Sequence, residues 1–182
     1  TAIGLNALPQ PGFADYSRAL ACWGGAIQQQ PLPLEWGDVW PQAFPLDASQ
    51  ATTDVLWITN PHNPTGQLWS RASLEPLLAC YALVICDEAF LPLVTGGEDQ
   101  SLMPLVADHP NLVVIRSLTK LFAIAGLRLG YAVAAPDRLQ RWHGWRDPWP
   151  VNGLAIAAGV AVMNDPVGLQ RWQGRVQKWV LQ

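Results

Sequence analysis

The chain has 182 residues, half of them hydrophobic, with a formal net charge of −3 and only 14% Asp, Glu, Lys and Arg, against about 25% in an average globular protein. That length is one domain's worth and that composition can bury a core, which excludes a disordered or fibrous chain. The cations are scattered rather than clustered, which argues against nucleic acid as a partner, and no apolar run reaches the roughly 18 to 20 residues of a membrane span.

Lysine occurs only twice, as Lys120 and Lys178, whereas tryptophan occurs ten times. A surface so poor in charge and so rich in Trp predicts that part of it is covered by further chain or by a partner subunit. Cys22, Cys80 and Cys86 have no metal-ligand spacing and are expected to be small apolar core residues kept reduced, with the cytoplasm as compartment. No basic segment precedes an apolar stretch at the start, so no signal peptide is expected.

In chain order, residues Thr1 to Leu8 predict a strand. Phe13, Tyr16, Leu20 and Trp23 fall at helical spacing ahead of Gly24-Gly25. The Pro- and Trp-rich stretch from Pro31 to Thr53 predicts a loop with at most one short strand. Asp54 to Thr59 (DVLWIT) predicts a buried strand, Asn60 to Gly66 a turn, and Ser70 to Cys80 a helix. Further buried strands are expected at Ala82 to Cys86, Leu112 to Arg116 and Gly130 to Ala134. Pro136 can open a helix to Trp145. Two helices close the chain, Asn152 to Met163 and Pro166 to Leu181, the second with Asp165 as N-cap. Short Val/Ile/Leu runs between helices predict an α/β fold, a mostly parallel sheet with helices on both faces.

Ligands of such sheets bind beyond the carboxyl ends of the strands. Three strands end in polar sets, NPHNPTG, DEAF and SLTK, which brings Asn63, Asp87 and Lys120 towards one rim. Lys120 lies in an apolar context (LTKLFAIAGL) that would disfavour its charge and leave it nucleophilic. Asp87 is a carboxylate at the end of ALVIC, unfavourable near a core unless paired. Ser117, Thr119 and Arg128 offer two hydroxyls and a guanidinium suited to a phosphate dianion. Each has a plainer reading alone: Lys120 as a surface lysine, Asp87 as a helix cap or arginine partner. Together they match the needs of pyridoxal phosphate: an amine for the aldehyde, a carboxylate for the ring nitrogen, donors for the phosphate.

NPHNPTG, ICDEAF and SLTKLFAIAGLRLGY resemble the three central motifs of the fold type I pyridoxal-phosphate enzymes, in the histidinol-phosphate aminotransferase branch. Within it, DEAF followed by SLMPL, NLVVIRSLTK and DPWPVNGLA are most similar to the threonine-phosphate decarboxylases of cobalamin biosynthesis. The resemblance implies that Lys120 binds the cofactor covalently and that Asp87 keeps its ring nitrogen protonated. It also implies that Asn63 donates to the ring oxygen O3′, that Ser117, Thr119 and Arg128 hold the phosphate, and that Phe13 of PGFADY covers the ring face. Phe90 stands where the aminotransferase pattern DEAY has a tyrosine, which fits decarboxylation better than amino transfer. The implied substrate is a small phosphorylated amino acid, and the implied assembly is a homodimer.

Enzymes of this family are roughly twice as long. Residues 1–149 are accordingly read as a portion of the cofactor-binding large domain and 150–182 as a helical segment leading towards a C-terminal small domain. The glycine and serine turn that adds phosphate contacts, and the arginine for the substrate carboxylate, are expected outside these 182 residues. The alternatives are a histidinol-phosphate-type aminotransferase or a non-catalytic remnant of the fold. His62 is expected at the surface of its turn. His109 and His143 have no partners at ligand spacing, so a metal site is not expected. Arg171, Arg175 and Lys178 predict a solvated helix face, and Trp142, Trp145 and Trp149 predict packing or interface residues.

Overall fold

The structure, a computed structural model, describes residues 4–33, 35–46 and 53–180. Six strands form one sheet: β1 (Asn6–Gln10), β2 (Ile27–Pro31), β3 (Val55–Thr59), β4 (Leu83–Asp87), β5 (Leu112–Ser117) and β6 (Gly130–Ala134), in the order β2-β1-β3-β4-β5-β6. All neighbours are parallel except β6, which runs antiparallel to β5.

The central strands read as unbroken apolar runs because both of their faces are covered. Their side chains alternate with period two. Leu56, Ile58, Val84, Cys86, Leu112 and Val114 join one core with Trp69, Leu74, Leu77 and Leu78. Val55, Ile85 and Val113 point the other way, against Trp57, Leu139 and Trp142. The first face is therefore covered by the helical segment after β3, and the second by helices α1 (Ala14–Cys22) and α3 (Pro136–His143).

The expected helix over residues 70–80 is present but splits. Ser70 caps it by accepting from the Ser73 amide at 3.3 Å. The α-helix α2 covers only Arg71–Leu74 before a 3₁₀ stretch, Glu75–Ala79, takes over. Pro76 has no amide proton for the carbonyl four residues back, which favours the tighter winding. The two final helices, α4 (Gly153–Met163) and α5 (Pro166–Val180), begin at side-chain caps. The amide of Ala155 donates to Asn152 at 2.9 Å, and that of Gly168 donates to Asp165 at 2.7 Å.

Four expectations need correction. β6, expected to be buried, is exposed over Gly130, Tyr131 and Ala132, because it is the edge strand beyond β5. β1 is shifted to Asn6–Gln10, with residues 1–3 of the expected strand outside the described residues. β2 (IQQQP) was not anticipated, because an edge strand half open to solvent needs no apolar run. Cys22 and Cys80 are exposed, and only Cys86 is a core residue. The expected loop from Pro31 to Thr53 falls partly on residues 34 and 47–52, outside the described residues, as does the end of the last helix beyond residue 180. No helix among the described residues is long and apolar enough to cross a membrane.

The tryptophans divide sharply. Trp69 is fully buried, against Trp36 at 5.1 Å and Phe44 at 5.2 Å between ring centroids. Trp142 packs on the sheet, whereas Trp23, Trp145 and Trp149 are largely exposed.

Candidate active site

The parallel registers decide where the polar strand ends meet. Thr59 pairs with Asp87, and Asp87 with Ile115, so β3, β4 and β5 terminate side by side. The segment after β3 is tied back by Asn60, which is fully buried. Its amide donates to the Trp69 carbonyl at 3.1 Å, and its oxygen accepts from the Trp69 amide at 2.9 Å. Gly66 then closes the turn at φ 82°, a conformation suited to glycine, with its amide on the His62 carbonyl at 2.7 Å. This folds Asn63 back towards the end of β4.

A cavity of about 320 Å³ opens over these strand ends. Phe13, Asn63, Asp87, Ser117, Thr119, Lys120 and Arg128 all line it. The residues singled out in the sequence thus come from four separate segments and share one cavity. Thr59, Ile115 and Gly130 complete its walls, together with Phe90.

Asp87 is only partly buried and has no arginine partner among the described residues. Its Oδ1 accepts from the Ala89 amide at 2.9 Å, and its Oδ2 accepts from the Tyr16 hydroxyl. Burial, followed by the charge of Asp87 and its hydrogen bond, pushes the Tyr16 hydroxyl far above the usual tyrosine range. The Ser117 and Thr119 hydroxyls lie 2.7 Å apart, and the Thr119 amide also donates to Ser117 at 3.2 Å. Arg128 follows a 3₁₀ turn, Ala125–Leu127, with φ of 55°. Ala123 has φ of 54°. Two non-glycine residues in the left-handed region mark a backbone held against its preference between Lys120 and Arg128.

The apolar setting expected for Lys120 is not found. Lys120 is exposed at the cavity wall with its Nζ over the Phe90 ring, 5.1 Å from the centroid. The turn buries Leu121 in its place. Nor is His62 at the surface. It is 3% exposed, its ring 5.8 Å from that of Trp69 and its Nδ1 against the Thr65 hydroxyl.

Sequence reasoning missed the roles of Tyr16, Glu88 and Arg116. Tyr16 was counted as one apolar position of a helix face. The available signal was its spacing of three from Phe13, which puts both rings on one side of the α1 start. Glu88 and Arg116 sit inside the DEAF and VVIRS runs, where their mutual pairing leaves no local pattern.

The donor set fits pyridoxal phosphate. An amine, a carboxylate with acceptor capacity left on both oxygens, and a hydroxyl pair near a guanidinium converge on one cavity. The group when bound supplies a conjugated, electron-accepting ring.

Residues 7–178 match the family described as aminotransferase class I and II. The chain is 37% identical over 175 residues to threonine-phosphate decarboxylase of Salmonella typhimurium, covering 93% of this chain and 46% of that protein. It is 34% identical over 169 residues to histidinol-phosphate aminotransferase of Symbiobacterium thermophilum, covering 90% of this chain and 45% of that one. Among solved structures, L-threonine-O-3-phosphate decarboxylase from Porphyromonas gingivalis superposes with a TM-score of 0.78 at 26% identity, covering 97% of this chain and 50% of that one. The chain therefore spans about half the length of the relatives it matches. A mostly parallel sheet, a strand-end cavity carrying the donor set, and similarity along nearly the whole chain lead to one conclusion: the protein belongs to the class I and II aminotransferase family of fold type I pyridoxal-phosphate enzymes.

Proposed function

We propose that the protein uses pyridoxal phosphate to decarboxylate L-threonine O-3-phosphate to 1-aminopropan-2-ol O-phosphate, a step of cobalamin biosynthesis. The observation that carries this reading is the convergence of Lys120, Asp87, Asn63 and the hydroxyls of Ser117 and Thr119 on one cavity in which Phe90 stands where the aminotransferase pattern DEAY has its tyrosine. The similarity to the Salmonella typhimurium decarboxylase over 93% of the chain supports the choice of reaction.

Each residue's proposed part is the one the family resemblance implies and its chemistry permits. Asp87 holds a positive charge at the ring nitrogen, which keeps the ring able to accept the electrons of a broken bond at Cα. Lys120 anchors the cofactor and then holds a proton for Cα once carbon dioxide has left. Asn63 would supply a donor for O3′, and Phe90 would add no second one. Ser117, Thr119 and Arg128 neutralise the cofactor phosphate. Phe13 covers one ring face and excludes water.

The reading includes a homodimer and a cytoplasmic setting. An apolar α4 face, on which Ile156, Val160 and Met163 are all more than half exposed, supports burial against a second copy. Exposed Cys22 and Cys80 suit a reducing compartment.

The test is carbon dioxide release from threonine phosphate measured beside amino transfer from histidinol phosphate. Release without transfer is expected. Amino transfer without release would replace this reading with the aminotransferase one, and the absence of both from a protein that binds the cofactor would point to a non-catalytic remnant.

A further inference from the structure

Tyr16 and Asp87 are 71 residues apart in sequence, yet the Tyr16 hydroxyl donates to Asp87 Oδ2. The Ala89 amide holds the other oxygen at 2.9 Å. Each carboxylate oxygen offers two acceptor positions, so both still have room for a ring N–H. What these two donors remove is freedom of rotation, because the carboxylate is gripped from its own chain on one side and from α1 on the other.

The gripping ring is itself fixed. Tyr16 lies against Trp57 with centroids 5.1 Å apart and planes tilted by 32°, and it meets Phe13 edge to face at 5.3 Å and 75°. The Trp57 indole N–H donates to Asn6 Oδ1 at 3.0 Å. Asn6, Trp57, Tyr16 and Phe13 therefore form a chain of contacts from β1 across β3 to the cavity, ending on the carboxylate and on an aromatic cavity wall. A tyrosine used only for packing would not need its hydroxyl on Asp87.

We propose that Tyr16 is a positioning residue that acts on the cofactor's ring nitrogen through Asp87, fixing the carboxylate as an oriented, charge-bearing acceptor. This rests on the reading of the cavity as a pyridoxal-phosphate site. No bond is made or broken in the role: the hydroxyl keeps its proton and donates a hydrogen bond to the carboxylate.

Tyr16→Phe removes the hydroxyl and keeps the ring contacts. The test compares equilibrium binding of pyridoxal phosphate with that of its 1-deaza analogue, in which the ring nitrogen is a C–H, by quenching of tryptophan fluorescence in the wild type and in Y16F. Loss of one hydrogen bond to a charged group predicts roughly tenfold weaker binding of pyridoxal phosphate in the variant, with the analogue unchanged within about twofold. Equal weakening of both ligands would overturn the proposal and make Tyr16 a packing residue. Undiminished affinity for pyridoxal phosphate would overturn it as well. If the wild type binds neither ligand, the proposed function fails, and this role fails with it.

Discussion

Glu88 and Arg116 form an ion pair at 2.8 Å, with Glu88 fully buried and Arg116 5% exposed. They lie just past β4 and near the end of β5, beside the cavity, and neither is left with the other alone. Glu88 also accepts from the Leu102 amide at 2.8 Å and from the Ser101 hydroxyl at 2.7 Å. Arg116 donates to both carboxylate oxygens of Glu98 at 2.8 and 2.9 Å. Burial opposes the Arg116 charge, but the hydrogen bonds to Glu98 and the charges of Glu88 and Glu98 outweigh it and hold the guanidinium above its ordinary value. The network ties the segment from Glu98 to Leu102 to the sheet at the residue that follows Asp87.

Removing one partner of such a pair leaves a buried charge poorly matched. Glu88→Gln should destabilise the fold by about 3 kcal/mol, the lower end for a broken buried pair because Glu98 remains. For a chain of this size that corresponds to a fall in Tm of roughly 6 to 12 °C. Replacing Glu88 and Arg116 together with methionines should lose less than the sum of the two single changes, since neither is then left as an unpaired buried charge, while Glu98 and the Leu102 amide still lose a partner. Thermal unfolding followed by circular dichroism measures both. A double variant as unstable as the sum of the singles would show that the two residues act separately.

Lys120→Ala should abolish the visible absorption that a lysine-bound cofactor gives, together with its capture by borohydride. Persistence of the band would move the covalent role to another residue, for which Lys178 on α5 is the sole other lysine of the chain. Asp87→Asn should keep weak cofactor binding and reduce turnover at least about a hundredfold, the scale of losing a preorganised charge in a site. Steady-state assays with threonine phosphate read this directly, and undiminished turnover would remove the electron-sink role from Asp87.

The sheet was legible because burial on both faces writes itself as uninterrupted Val, Ile and Leu runs, and β3, β4 and β5 fall close to where those runs lie. The strand ends followed from the same logic, since polar residues cut off each run where the chain leaves the core. β2 was invisible because three consecutive glutamines on an edge strand give no apolar signal. The exposure of Lys120 was misread because the burial of its apolar neighbour Leu121 does not extend to Lys120 or to most of the apolar run that follows. His62 was misread for the opposite reason, since a polar turn folded onto Trp69 and buried it. Contacts between distant segments, such as Tyr16 with Asp87 or Glu88 with Glu98 through Arg116, leave no periodicity to read.

Gly130 pairs with Ser117 where β6 passes β5. A Cβ there would stand 2.7 Å from the Arg116 carbonyl oxygen, closer than real Cβ contacts come. Gly130→Ala should push the strands apart at Ser117, with a loss of about 1 to 3 kcal/mol from overpacking. The functional consequence should be selective, because the displaced hydroxyl belongs to the group assigned to the phosphate. Binding of pyridoxal phosphate should weaken while that of unphosphorylated pyridoxal stays nearly constant. Isothermal titration with the two ligands makes the comparison, and equal weakening would detach Ser117 from phosphate binding.

His62 should leave a mark on the pH dependence of stability. Burial pushes its pKa below the ordinary value of 6.5, outweighing a backbone contact at Pro11 that acts the other way. The unfolded chain therefore takes up a proton at this residue before the folded chain does. Above pH about 6.5 both states are neutral at His62 and it contributes no slope. As the pH falls below about 6.5, the unfolded state gains the proton and stability is lost until the folded pKa is passed. His62→Asn keeps a hydrogen-bonding side chain beside the Thr65 hydroxyl and removes the titration, so the variant should lose less unfolding free energy than the wild type between pH about 6.5 and 5. Urea denaturation at several pH values gives the two curves. Parallel curves would mean that the folded protein accommodates a charged His62, which its enclosure against Trp69 argues against.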